Sequence, residues 1–171
     1  MGEPLEASGL TQSQIAEVAK QIRRQLVAKF GFRDGEDVYQ VVERLGGQIA
    51  YDDVVDDRTD HGSIEVRGVC DFTIYLPEQT PERRDRFTIA HELGHYFLHA
   101  KQGKVPGVAF RSLKYQRQEW EANWFAASLL MPAEEFMQAY ERERDPSVLA
   151  SAFGVSVAAA RVRIEALNLG S

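Results

Sequence analysis

The sequence predicts an α+β fold: a small, mainly antiparallel sheet packed on the helices that carry the chemistry, followed by a C-terminal helical tail of helix-turn-helix type. Three observations predict it. Short runs rich in β-formers cluster between residues 48 and 76. Two long helical patterns follow between Pro81 and Pro132, and the remaining residues read as short helices broken by Pro and Gly. At 171 residues and 44% hydrophobic content, the chain is long enough for one domain with a real core and a small appendage.

In chain order, Ile15, Val18, Ile22, Leu26 and Phe30 recur at helical spacing from Thr11 to about Lys29, and Gly31 supplies the stop. Residues 37–45 give a second, shorter helix. Gly46-Gly47 leads into a strand at residues 48–51, and residues 62–66 and 70–76 read as two more. Residues 73–76 fit an edge strand, to which an extended peptide adds, and an interior strand equally well.

Thr80 is placed to cap a helix with Pro81 in its first turn, running to about Lys101 with Gly103 beyond it. Phe87, Ala90, Gly94 and Phe97 make one face, widened by Leu93 and Leu98, and Thr88, His91, His95 and His99 make the other. A glycine inside a helix costs about 1 kcal/mol relative to alanine. Close approach of another backbone, or of a substrate, is the expected offset at Gly94. Residues 118–131 read as a second buried helix ended at Pro132, apolar nearly all round except for Glu119, Glu121 and Asn123. In the tail, Pro146 and Ser147 open a helix through Phe153, Gly154 turns the chain, and Ser156 caps a last helix from Val157 to Leu167. The division expected is residues 1–132 for the main domain and 133–171 for a helical subdomain.

His91-Glu92-Leu93-Gly94-His95 is the most informative run. Residues four apart share a helix face, so both imidazoles can reach one metal ion, the H-E-x-x-H pattern of zinc metallopeptidases. Zn²⁺ suits imidazole nitrogen, and a catalytic site leaves one position open for water. Glu92 points away from the two-histidine face by about one step of helix rotation, where its carboxylate can meet that water as general base. The same ligands also suit Mn²⁺ or Fe²⁺.

A third ligand is needed. Glu121 is followed one turn on by Trp124 and Phe125, where a bare anion would be costly, so metal ligation is the reading preferred for it over a salt bridge to a nearby arginine. Glu119 lies near Asn123 and the small Ala122 and Ala126, which favours solvent or a hydrogen bond behind the metal. His99 lies about 12 Å of helix rise beyond His91, too far for three side chains to converge, so it reads as a support or a cap. Leu98 and Lys101 stand where the long metzincin motif has its Gly and third His. Candidates for stabilising an oxyanion are Tyr96, His99, Arg111 and Tyr115. Tyr96 reads also as core packing. Arg111 and Tyr115 lie in a loop whose Gly103, Pro106 and Gly107 mark a substrate-contacting segment.

Residues 86–99, RFTIAHELGHYFLH, followed by residues 121–132, EANWFAASLLMP, resemble the ImmA/IrrE metallopeptidase family in two separated motifs in the right order. The resemblance implies ligation by His91, His95 and Glu121 with Glu92 as base, in a zinc-dependent endopeptidase. It implies as substrate a helix-turn-helix repressor, cut to release a stress-response or mobile-element programme. A competing class is a metal-containing module, or the toxin half of a toxin–antitoxin pair, that binds a repressor without cutting it. An intact Glu92 argues for hydrolysis, because a structural zinc site has no use for a base beside an open position.

Composition agrees. A formal charge of −6 lacks the broad basic field of non-specific nucleic-acid binders, so a protein partner is expected and direct nucleic-acid binding is not. Arg161 and Arg163 are the only basic residues on the last helix, and Glu165 offsets them. The lone Cys70 excludes an intrachain disulfide framework, the first residues carry no signal-peptide pattern, and no apolar stretch reaches membrane-spanning length, so the cytoplasm is expected. Asp52, Asp53, Asp56, Asp57 and Asp60 lack the spacing of a calcium loop and read as a solvated turn.

Overall fold

The computed structural model describes residues 2–33, 38–52, 62–110 and 113–170. Helix α1 (Gln12–Phe30) begins with a reciprocal cap: Gln14 N–H donates to the Thr11 hydroxyl, and Thr11 N–H donates to the Gln14 side chain. It ends at Gly31, whose φ of 68° only glycine adopts without strain. After the short α2 (Val38–Arg44) come β1 (Gly47–Asp52), β2 (Ser63–Gly68) and β3 (Asp71–Pro77).

With β4 (Gly107–Phe110) the sheet has the order β1-β3-β2-β4. The β1–β3 pair is parallel and the other two pairs are antiparallel. Strand β4 has no counterpart in the sequence reading. Residues 73–76 lie in β3, between β1 and β2, so they form an interior strand and offer no edge. The outer edge at β4 is covered by the N-terminal segment: Leu5 N–H donates to Val108 O at 3.0 Å and Val108 N–H donates to Glu3 O at 2.8 Å. Ile64, Val66, Phe72, Ile74 and Leu76 face the helices, and Arg67 links Glu65, Asp71 and Thr73 on the far side.

Helix α3 (Glu82–Gly94) departs from expectation at both ends. Its N-cap is Pro81, and the Thr80 hydroxyl bonds the Asp85 carboxylate instead of a backbone N–H. At its C-terminal end the chain passes into a widened π-turn (His95–His99), where Ala100 N–H reaches back five residues to His95 O at 2.9 Å. Helix α4 (Gln116–Leu130) crosses α3 at Gly94, where an added Cβ would lie 3.1 Å from Ala122 Cα and 3.2 Å from Ala122 O. Backbone approach is therefore what the glycine permits.

The tail holds α5 (Ala133–Arg142), α6 (Pro146–Phe153) and α7 (Val157–Ala166), the last two capped by Asp145 and Ser156 and bent 104° apart about Gly154. Arg86 Nε donates to Gly154 O at 2.9 Å, and Arg163 Nε donates to Met131 O at 3.0 Å, tying α7 and the α6–α7 turn to the main helices. Arg163 is thus buried and turned inward, which leaves Arg161 as the exposed cation of that helix. Asp53, Asp56, Asp57, Asp60 and Arg111 lie outside the described residues. Among the described residues no single helix is long and apolar enough to cross a membrane.

Candidate metal centre

The crossing of α3 and α4 assembles the site, because Gly94 lets the helices touch and so brings the histidine face of α3 against one face of α4. His91, Glu92 and His95 are buried, and one potential ligand atom from each lies within 4.8 Å of the other two. The two imidazoles meet through Nε2 at 3.2 Å.

Glu119 closes the group. One of its oxygens lies 3.1 Å from His91 Nε2 and the other 3.3 Å from His95 Nε2. Donors on a tetrahedral ion at 2.0–2.1 Å stand about 3.3 Å apart, so the two imidazole nitrogens and a carboxylate at these spacings could hold a divalent ion such as zinc. The supporting bonds also fit. His91 Nδ1–H donates to Asn123 Oδ1 at 2.8 Å, which fixes the ring and leaves Nε2 with its lone pair. Asn123 is four residues after Glu119, so α4 presents ligand and support on one face.

Glu121 occupies a different place. The sequence reading sets it beside the two histidines, and the structure sets Glu119 there. The premise holds, since Glu121 is fully buried and its charge is compensated. The compensation comes from other groups: Ser8 N–H, the Ser8 hydroxyl and His99 Nε2, each at 2.8 Å, with Arg117 Nε at 2.9 Å and Gly9 N–H at 3.1 Å. Ser8, Gly9 and Arg117 were not singled out from sequence. The Arg117–Glu121 spacing of four was readable, but Ser8 and Gly9 come from more than a hundred positions away.

The electrostatics follow the packing. Burial pushes the His95 imidazole down to about 3, against the pull of Glu119, so this ring is neutral. Burial also opposes charge on His91, but the bond to Glu119 and the field of Glu92 raise it above the ordinary value. Glu119 is buried, yet the adjacent His91 and His95 imidazoles hold it well below the carboxylate range. Glu121 is likewise held at about 2, burial being outweighed by the Ser8 amide and by His99.

Of the other candidates, Tyr96 is core: its ring lies 4.3 Å from that of Phe72 and its hydroxyl accepts Cys70 N–H at 3.2 Å. His99 stands behind His95, their Nδ1 atoms 2.8 Å apart. Tyr115 lines a small crevice with His95 and Glu119.

An α+β domain that buries a His–Glu–His group able to hold a metal ion defines a peptidase-type site. The chain belongs to the peptidase family described as the IrrE N-terminal-like domain, Peptidase_M78, whose family model matches residues 42–165. It is also similar to a solved structure titled as a Mycobacterium tuberculosis transcriptional regulator, at 21% identity and a TM-score of 0.61. That match covers 89% of this chain and 46% of the other, so the chain spans under half the length of that relative and the likeness shows the fold. The comparison with curated proteins found no match.

Proposed function

We propose that the protein is a zinc-dependent endopeptidase that cuts a cognate helix-turn-helix repressor and so releases a stress-response or mobile-element programme. The observation that carries this reading is the convergence of His91 Nε2, His95 Nε2 and the Glu119 carboxylate at 3.1–3.3 Å, with the Glu92 carboxylate in the same buried group. His91, His95 and Glu119 would hold the ion. Bound zinc would supply Lewis-acid chemistry, lowering the pKa of a water to about 7 and polarising the scissile carbonyl.

Glu92 takes the proton from the attacking water onto its carboxylate as oxygen adds to the carbonyl carbon. It then gives that proton to the amide nitrogen as the C–N bond breaks. Gly62 keeps this carboxylate clear: a Cβ there would lie 2.6 Å from Thr88 Cγ2 and 3.4 Å from Glu92 Oε1. Tyr115, beside His95 and Glu119, is the donor for the developing oxyanion. A groove of about 910 Å³ between α3, α4 and α7, lined by Phe87, Thr88, Trp120, Trp124 and Val162, runs past Asn123, the partner of His91 Nδ1, and is the proposed seat of the substrate chain.

The test is intact-mass analysis of a candidate helix-turn-helix repressor, chosen from the genes adjoining this one, after incubation with zinc-loaded protein. Cleavage is expected with the native protein and not with Glu92→Gln or with excess chelator. A repressor that stays whole yet co-elutes with both proteins would replace the peptidase reading with a binding module.

A further inference from the structure

Behind the proposed ligands runs a chain of bonds that peptide hydrolysis does not use. His95 Nδ1 lies 2.8 Å from His99 Nδ1, His99 Nε2 lies 2.8 Å from Glu121 Oε2, and the side chains of His99 and Glu121 are wholly shielded from solvent. His95 and His99 stand four residues apart within the π-turn, so their rings share one face.

The direction of the chain is determined. Glu121 is surrounded by groups that can only serve it by donating: two backbone N–H groups, a guanidinium N–H and the Ser8 hydroxyl, whose oxygen already accepts Leu10 N–H at 3.2 Å. An acceptor-only carboxylate requires the proton of His99 on Nε2. His99 Nδ1 is then bare and must accept, so His95 carries its proton on Nδ1. The lone pair of His95 therefore sits on Nε2, facing His91 and Glu119.

We propose that Glu121 and His99 are positioning residues that set the tautomer and ring orientation of His95 for metal binding, and that the N-terminal strap, through Ser8 and Gly9, is energetically coupled to the ion. Neighbours of Glu121 on α4 hold the strap as well. Gln118 Nε2 donates to Leu5 O at 2.8 Å and Arg117 Nη2 donates to Leu10 O at 2.6 Å, so its seating and the carboxylate's position are one arrangement. Coupling is reciprocal: if the seated strap favours the ion, the ion must favour the seated strap. This rests on the metal reading above, and the experiment separates the two.

The full chain, stripped by chelator, is titrated with zinc against a chromophoric chelator, and hydrogen exchange at the Ser8 and Gly9 amides is followed with and without zinc. Native protein should bind, and zinc should slow exchange at both amides. His99→Phe and Glu121→Gln should each weaken zinc by about 10–100-fold, and the double variant should be no weaker than the worse single one. In both single variants zinc should no longer slow exchange in the strap.

Ser8→Ala keeps the metal face and the helix crossing intact. It should lose a smaller part of the affinity, and Ser8→Thr should recover it, so the proposal stands or falls even if a core variant does not fold. Native affinity in His99→Phe and Glu121→Gln would overturn this proposal and leave the metal reading in place. So would an exchange rate at Ser8 and Gly9 indifferent to zinc. Absence of zinc binding by the native protein would overturn both.

Discussion

Two carboxylates two residues apart on α4 are both buried, and the molecule uses them in opposite ways. Glu119 faces two imidazole nitrogens, groups that a divalent ion can displace or join. Glu121 faces the strap, where backbone amides, a hydroxyl and a guanidinium hold it in place. A buried carboxylate thus signals compensation and does not by itself name the compensator. Which one stands beside the two metal-motif histidines depends on what the rest of the fold brings to each face of the helix.

The largest expected effect falls on Glu92, the proposed general base. Glu92→Gln should cut the turnover of repressor by about 10²–10⁴-fold, read by intact mass over time, while zinc binding persists. Next comes the contrast between the glutamates: Glu119→Gln should weaken zinc by more than Glu121→Gln, in a side-by-side chelator titration. Equal losses would collapse the distinction. Gly94→Val should then show that the crossing positions both, because its side chain would press on Ala122 and cost about 1–3 kcal/mol in denaturant unfolding. Gly62→Ala places strain at φ +86° and crowds Thr88 beside Glu92, so kcat should fall with zinc affinity unchanged. The smallest effect is at Arg163→Met, where loss of the bond to Met131 O should cost about 1 kcal/mol of stability with cleavage retained.

The elements that carry periodicity were legible. Thr11, Gly31, Gly154 and Ser156 act at the helix ends where the sequence places them, and the H-E-x-x-H run lands on a buried helix. The break of that helix into a π-turn at His95 has no sequence signature that propensity can see. Strand β4 has four residues and is flanked by glycine-containing loop, too short to alternate convincingly. The strap is the clearest case. Residues 3–10 hold Leu5 and Leu10 as their only large apolar side chains and show no period, yet they decide the fate of Glu121 by contacts spanning 112 and 113 positions. Local rules read neighbours within a turn or two, so the choice between Glu119 and Glu121 lay beyond them. The pair Glu119 and Asn123 was the available clue, since a carboxylate four residues before an amide can serve one metal and the imidazole beside it.

The most direct test of the metal centre is a crystal structure of the zinc-loaded protein with anomalous diffraction collected at the zinc edge. One peak bonded to His91 Nε2, His95 Nε2 and a Glu119 oxygen, with Glu121 still bonded to His99 and Ser8, is the predicted result. A peak coordinated by Glu121, with Glu119 turned away, would contradict the account.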